Sequence, residues 1–222
     1  MPTYEELGYR GRTAGIARDD TRAVFGQVMG LVALTVGCAA LGAYVGRNLT
    51  GGAGIAFTVG GFVCVIGLNI ANARGHQQLA TGLLFGLGLL LGIGVAPILS
   101  YYAHSQPSVL WQATGATGLF VGALGATGYA IRRDLSSWAR SLFFALLGLI
   151  VVGLVLVFVR IPHAHVIYAV LGLGVFGAFT IFDFNRLRRA TGGQAVPIAA
   201  SIFLDIFNVF LFMLQLLGGN RD

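Results

Sequence analysis

Seven apolar stretches, at 24–46, 51–73, 79–101, 108–131, 141–159, 163–185 and 196–217, take up most of this chain. Each is 19 to 24 residues long, close to the roughly 20 residues an α-helix needs to cross about 30 Å of hydrocarbon. The connections between them are short. Consecutive helices are therefore expected to be antiparallel neighbours, with no room for a soluble domain. The pattern predicts an all-α integral membrane protein: a polar cytoplasmic tail over 1–22, then one seven-helix transmembrane domain over 23–222. The tail is polar and the apolar run after it is too long for the h-region of a signal peptide.

Composition agrees and excludes other classes. Hydrophobic residues make up 56% of the 222 and charged residues only 10%. Too few charges remain to cover a soluble globule, and a disordered chain is equally excluded. The net charge of +6 is no nucleic-acid footprint, because every basic residue is Arg and these sit in the N-terminal segment and in short loops. With no Lys present, a retinal Schiff base has no side-chain amine to form on. Cys38 and Cys64 both fall in apolar runs and read as packing residues.

Arginine placement predicts orientation. With the N-terminus inside, Arg10, Arg12, Arg18, Arg22, Arg74, Arg132, Arg133, Arg140, Arg186, Arg188 and Arg189 are cytoplasmic, and only Arg47, Arg160 and Arg221 are outside. Eleven against three is a strong positive-inside bias and puts the C-terminus outside. Spans one to three and four to six form two groups of three. An odd number of crossings makes tandem units lie in opposite orientations, a plan common in transporters.

Glycines four apart, at Gly42/Gly46, Gly82/Gly86, Gly88/Gly92 and Gly118/Gly122, are expected to let helices approach closely. Gly172-Leu-Gly-Val-Phe-Gly177 matches a dinucleotide fingerprint, but it lies within an apolar helix with no strand before it. Pro97, inside the third span, marks an expected kink.

Only two of the eight acidic residues, Asp183 and Asp205, lie inside apolar spans. By insertion scales each carboxylate costs at least about 2.5–3.5 kcal/mol at a helix centre, so the two call for an explanation, either a function or a structural hydrogen-bonded pair. Asp183 precedes Arg186 by three residues and Asp205 follows Val196 by nine, about 5 Å and about 14 Å from the cytoplasmic ends of helices joined by a short loop. If their faces meet, the two carboxyls share one proton over some pH range and titrate in two macroscopic steps. Neighbouring polar residues suggest a seam: Asn208 and Gln215 share a helix sector with Asp205, Arg186 is one turn from Asp183, and Asn69 and Asn72 lie near Arg74 at the end of the second span. Individually the four amides read as interhelical glue. The histidines His76, His104, His163 and His165 lie at span ends or in loops, a weak zinc signal. Tyr101, Tyr102, Trp111 and Trp138 read as interface anchors.

Several motifs together resemble the Bax inhibitor-1 (transmembrane Bax inhibitor motif) family, in particular its bacterial calcium-leak branch. Ile181-Phe-Asp-Phe-Asn-Arg186 is similar to the family's aspartate at the end of the sixth helix. Ser201-Ile-Phe-Leu-Asp-Ile-Phe-Asn-Val-Phe210 is similar to its seventh-helix signature. Arg132-Arg-Asp-Leu-Ser136 and Pro97-Ile-Leu-Ser-Tyr-Tyr-Ala103 also fit, and the resemblance runs from about residue 20 to the end. It implies two inverted three-helix units around a central seventh helix. It also implies a pH-sensitive calcium leak in which Asp183 and Asp205 form the sensor and Arg74 engages the sixth-helix aspartate. Two departures stand out: Phe182 replaces the usual Tyr, and the second span has no carboxylate.

The resulting expectation is a non-enzymatic, inner-membrane calcium pathway gated by a paired-aspartate proton sensor. Calcium would be the transported ion, held only transiently by Asp183 and Asp205, with no cofactor and no nucleic-acid partner. Alternatives are a non-transporting regulator that binds a membrane protease or stress-response partner, a proton-coupled exchanger, and an intramembrane aspartyl protease. The last is disfavoured because Asp205 sits in Phe-Leu-Asp and not in Gly-x-Gly-Asp.

Overall fold

A computed structural model describes residues 4–49, 52–159 and 164–219, with residues 4–21 and Val157 described by backbone alone. It contains seven long helices: α1 (Tyr4–Val45), α2 (Ala53–Ala73), α3 (Gln77–Ser105), α4 (Pro107–Ala130), α5 (Trp138–Phe158), α6 (Ala164–Leu187) and α7 (Ala195–Gly218). All seven are long and apolar enough to cross a membrane, and no strand occurs among the described residues. The chain is a multi-pass membrane protein, and its helices follow the seven apolar stretches.

Boundaries shift where polar residues extend a helix. The first helix continues back to Tyr4, through the segment read as a polar tail, because no Pro interrupts the chain between Tyr4 and Val45. The third runs four residues past Tyr101 to Ser105, and it passes through Pro97 without ending.

Local chemistry explains the tight connections. Helix α2 ends in a Schellman motif: the Gly75 N–H donates to Asn72 O at 3.0 Å and the His76 N–H to Ala71 O at 2.9 Å. Gly75 has φ 78°, a left-handed conformation that only glycine adopts without strain. A single residue, Gln106, separates α3 from α4, and Pro107 opens α4 where its missing N–H costs nothing. Thr191 and Gln194 form a capping box ahead of α7.

Packing follows two similar sets of three. Helix α3 packs against both α1 and α2, and α6 packs against both α4 and α5. Helix α7 contacts α1, α2, α3, α4 and α6. Half of its spanning segment is buried, against 11–33% in the other six, so α7 is the central helix.

Glycine controls how closely the α3 set packs. A Cβ on Gly88 or Gly92 would run into the Thr35 or Ala39 carbonyl of α1, and one on Gly42 into the Leu89 carbonyl of α3. Gly46 meets Ala96 and Ile93 in the same interface. Two of the four glycine pairs thus form the α1–α3 contact. The other two do not pack in this way. Gly82, Gly118 and Gly122 face open space, and Gly86 has only ordinary contact with Cys64. Spacing puts small residues on one face but does not determine whether a helix covers that face.

Candidate functional site: a buried carboxyl pair between α6 and α7

Asp183 lies one turn before the end of α6, and Asp205 lies three turns into α7. Both are buried, at 4% and 3% exposure, in the α6–α7 contact. Their carboxyl groups lie within hydrogen-bonding reach of each other. Asp205 Oδ2 finds no N–H or O–H donor among the described residues. Two ionised carboxylates cannot bond to each other, so a hydrogen bond between them requires a proton on one of the two.

Arg186, half-buried one turn beyond Asp183, is the cation whose charge acts on Asp183 in this structure. Arg74 is not: it caps the C-terminus of α2 and is exposed. Among the described residues the one ion pair joins Arg189 to Asp134 at 2.7 Å, away from the carboxyl pair.

The amides of the expected seam do not converge on the pair. Asn208 donates to Leu204 O at 2.7 Å and Asn69 to Val65 O at 2.8 Å, each within its own helix. Asn72 Oδ1 accepts from Gln77 across the α2–α3 turn at 3.2 Å. Gln215 donates to His165 O at 3.1 Å, tying the end of α7 to the start of α6. Asn72 and Gln215 each link two helices, Asn72 joining α2 to α3 and Gln215 joining α7 to α6 at the opposite end of α6 from Asp183.

Asn185, which sequence reasoning passed over, is the best-connected polar side chain of the site. Two residues are about 200° around a helix, so Asn185 points away from Asp183 and toward α4. It is 1% exposed. Its Nδ2 lies within donating range of the carbonyls of Ile131 (2.8 Å), Arg133 (3.1 Å) and Gly128 (3.3 Å), and its Oδ1 accepts from Leu135 N–H at 3.3 Å and from Arg189. Arg188 adds a bond to Ile131 O at 3.1 Å. The loop after α4 is thereby fastened to the same turn of α6 that carries Asp183. Between them, Phe184 lays its ring against Gly125 of α4. The only sequence signal was its place between Asp183 and Arg186 at the end of an apolar span.

Asp134 anchors that loop from outside. The Ser136 hydroxyl, bonded to it at 2.6 Å, then the Ser136 N–H and Arg189, hold its carboxyl below the usual carboxylate range.

No three His, Cys, Asp or Glu side chains gather among the described residues. His163 lies outside those residues, so the His163/His165 pair is not described.

The geometry defines a class: a seven-helix membrane protein with a buried carboxyl pair where its central helix meets α6. Comparison with known proteins gives the family. Residues 21–222 match Bax1-I, described as Inhibitor of apoptosis-promoting Bax1, and the chain belongs to that family. A Deinococcus radiodurans protein is 30% identical over 70% of this chain and 69% of its own length. An uncharacterized membrane protein of Vibrio cholerae is 33% identical over 60% of this chain and 61% of its own. Inner membrane protein YbhL of Escherichia coli K12 is 27% identical over 74% of this chain and 76% of its own.

Proposed function

We propose that the protein is a pH-sensitive calcium leak of the inner membrane, gated by Asp183 and Asp205, with its N-terminus cytoplasmic and its C-terminus outside. The observation that carries this reading is the meeting of the two carboxyls in the buried α6–α7 contact with one oxygen left without a donor. A protonated pair holds α6 against α7. Loss of the shared proton puts two like charges at bonding distance in a poorly solvated interface, and that repulsion loosens the contact.

Calcium takes six to eight oxygen ligands in a tight site, and two carboxylates do not supply them. The pair suits an ion in passage, which keeps part of its water. Arg186 and Arg74 are the basic groups of the proposed gate. The charge of Arg186 already acts on Asp183, whereas Arg74 is exposed at the C-terminus of α2 and forms no ion pair with Asp183 in this structure. The inner-membrane assignment draws on the printed name of the Escherichia coli relative.

The test is calcium entry into liposomes carrying the purified, inserted protein, compared with protein-free liposomes. Entry above the protein-free rate supports the reading. No excess entry at any pH from about 5 to 9 would sink it and favour a non-transporting regulator.

A further inference from the structure

Helices α1 and α4 are both membrane-spanning, and a groove of about 600 Å³ opens between them. Among its lining residues Phe25 and Tyr129 meet edge-on, with ring centroids 5.3 Å apart. Elsewhere its walls are small: Gly26, Gly122 and Ala126 are all exposed, and a Cβ on Gly26 or Gly122 would meet nothing within 4 Å. The floor is Phe184 of α6. From Gly122 to Ala130 the α4 wall is about 12 Å long.

An apolar groove between two spanning helices faces lipid, so its occupant must come from the bilayer. The charge at its mouth says which kind. Arg22 lines the groove at the end where α1 enters its span, and Arg132 and Arg133, both exposed, follow α4 within three residues of Ala130. A guanidinium matches a phosphodiester with paired donors, and the Tyr129 phenol at the same rim is a further donor. A basic rim favours a lipid with net negative charge over a zwitterion, whose own ammonium it repels.

We propose that this groove binds one anionic phospholipid, an acyl chain lying over Gly26, Gly122 and Ala126 and the phosphate on Arg22. The site is separate from the Asp183–Asp205 contact and stands whether or not the protein conducts calcium.

The experiment is native mass spectrometry of the detergent-purified protein titrated with phosphatidylglycerol or phosphatidylcholine of identical chains. Wild type is expected to retain the first bound phosphatidylglycerol about five-fold better, the worth of one basic residue beside anionic lipid. Arg22→Gln loses that preference and Arg22→Lys keeps most of it. Arg140→Gln removes a charge from the first turn of α5, away from the groove, and leaves the preference intact. Ala126→Phe fills the groove and weakens retention of both lipids. An undiminished preference in Arg22→Gln, an equal fall in Arg140→Gln, or unchanged retention in Ala126→Phe would overturn the proposal. The last two outcomes would mean diffuse charge attraction or ordinary annular lipid.

Discussion

Asp205 turns its carboxyl onto that of Asp183 inside the bundle, and its Oδ2 finds no donor among the described residues. A contact of this kind depends on a proton, so its strength has to change with pH. Each aspartate is expected to matter through the other. Asp205→Asn should leave a folded protein, because the amide donates to Asp183 in place of the proton. It should also remove one of the two titration steps from any pH-dependent readout. An unchanged two-step profile in Asp205→Asn would count against coupling.

The Asn185 fastening should be worth much more than a surface bond. Asn185→Ala strands several buried main-chain groups between Gly128 and Leu135. Leaving one such group unsatisfied costs about 1–3 kcal/mol. A loss of about 2–4 kcal/mol, or a clear fall in unfolding temperature in detergent, is expected. Asn185→Asp should be at least as harmful, since a carboxylate would face three carbonyl oxygens. A wild-type unfolding temperature for both variants would show that the loop is held by other contacts.

Asp134 should not contribute to pH sensing near neutrality. Its carboxyl is held below the usual range, first by the Ser136 hydroxyl. A lowered folded value contributes stability above the unfolded value of about 3.9, and that stability is lost as pH falls through the folded value. The window therefore lies below about pH 4. Asp134→Asn should keep the wild-type pH response between about 5 and 9, and a displaced midpoint in calcium flux would contradict this.

Glycine substitutions should divide by interface and not by spacing. Gly88→Ala and Gly92→Ala place a methyl against α1 carbonyls and should cost about 1–3 kcal/mol. Gly82→Ala and Gly118→Ala meet nothing and should be neutral or stabilising by up to about 1 kcal/mol, since alanine suits a helix interior better. Thermal unfolding of the four variants distinguishes this account from one in which every four-residue glycine pair is equivalent.

What the sequence made legible is what depends on one dimension. Apolar length located all seven helices, and the depth of Asp183 and Asp205 within their spans singled out the pair. The i+3 spacing put Arg186 near enough for its charge to act on Asp183, though the two form no ion pair. Contacts between distant segments were not legible. Asn185 bonds to residues 50 to 57 positions earlier, and no local pattern announces that. Arg74 was assigned to Asp183 by family resemblance and by its spacing to Pro97, with no motif around it, and here it stands exposed at the end of α2. The open face of Gly122 reflects a groove beside α1, which a four-residue spacing cannot distinguish from a packed interface.

The central claim is that the Asp183–Asp205 contact makes calcium movement pH-sensitive. Its most direct test is calcium flux in proteoliposomes across pH about 5 to 9, wild type beside the Asp183→Asn/Asp205→Asn double variant, with insertion of both verified. The account predicts flux that varies with pH in wild type and flux that is flat with pH in the double variant. A double variant that keeps the wild-type pH profile would contradict it, leaving the buried pair as a structural contact alone.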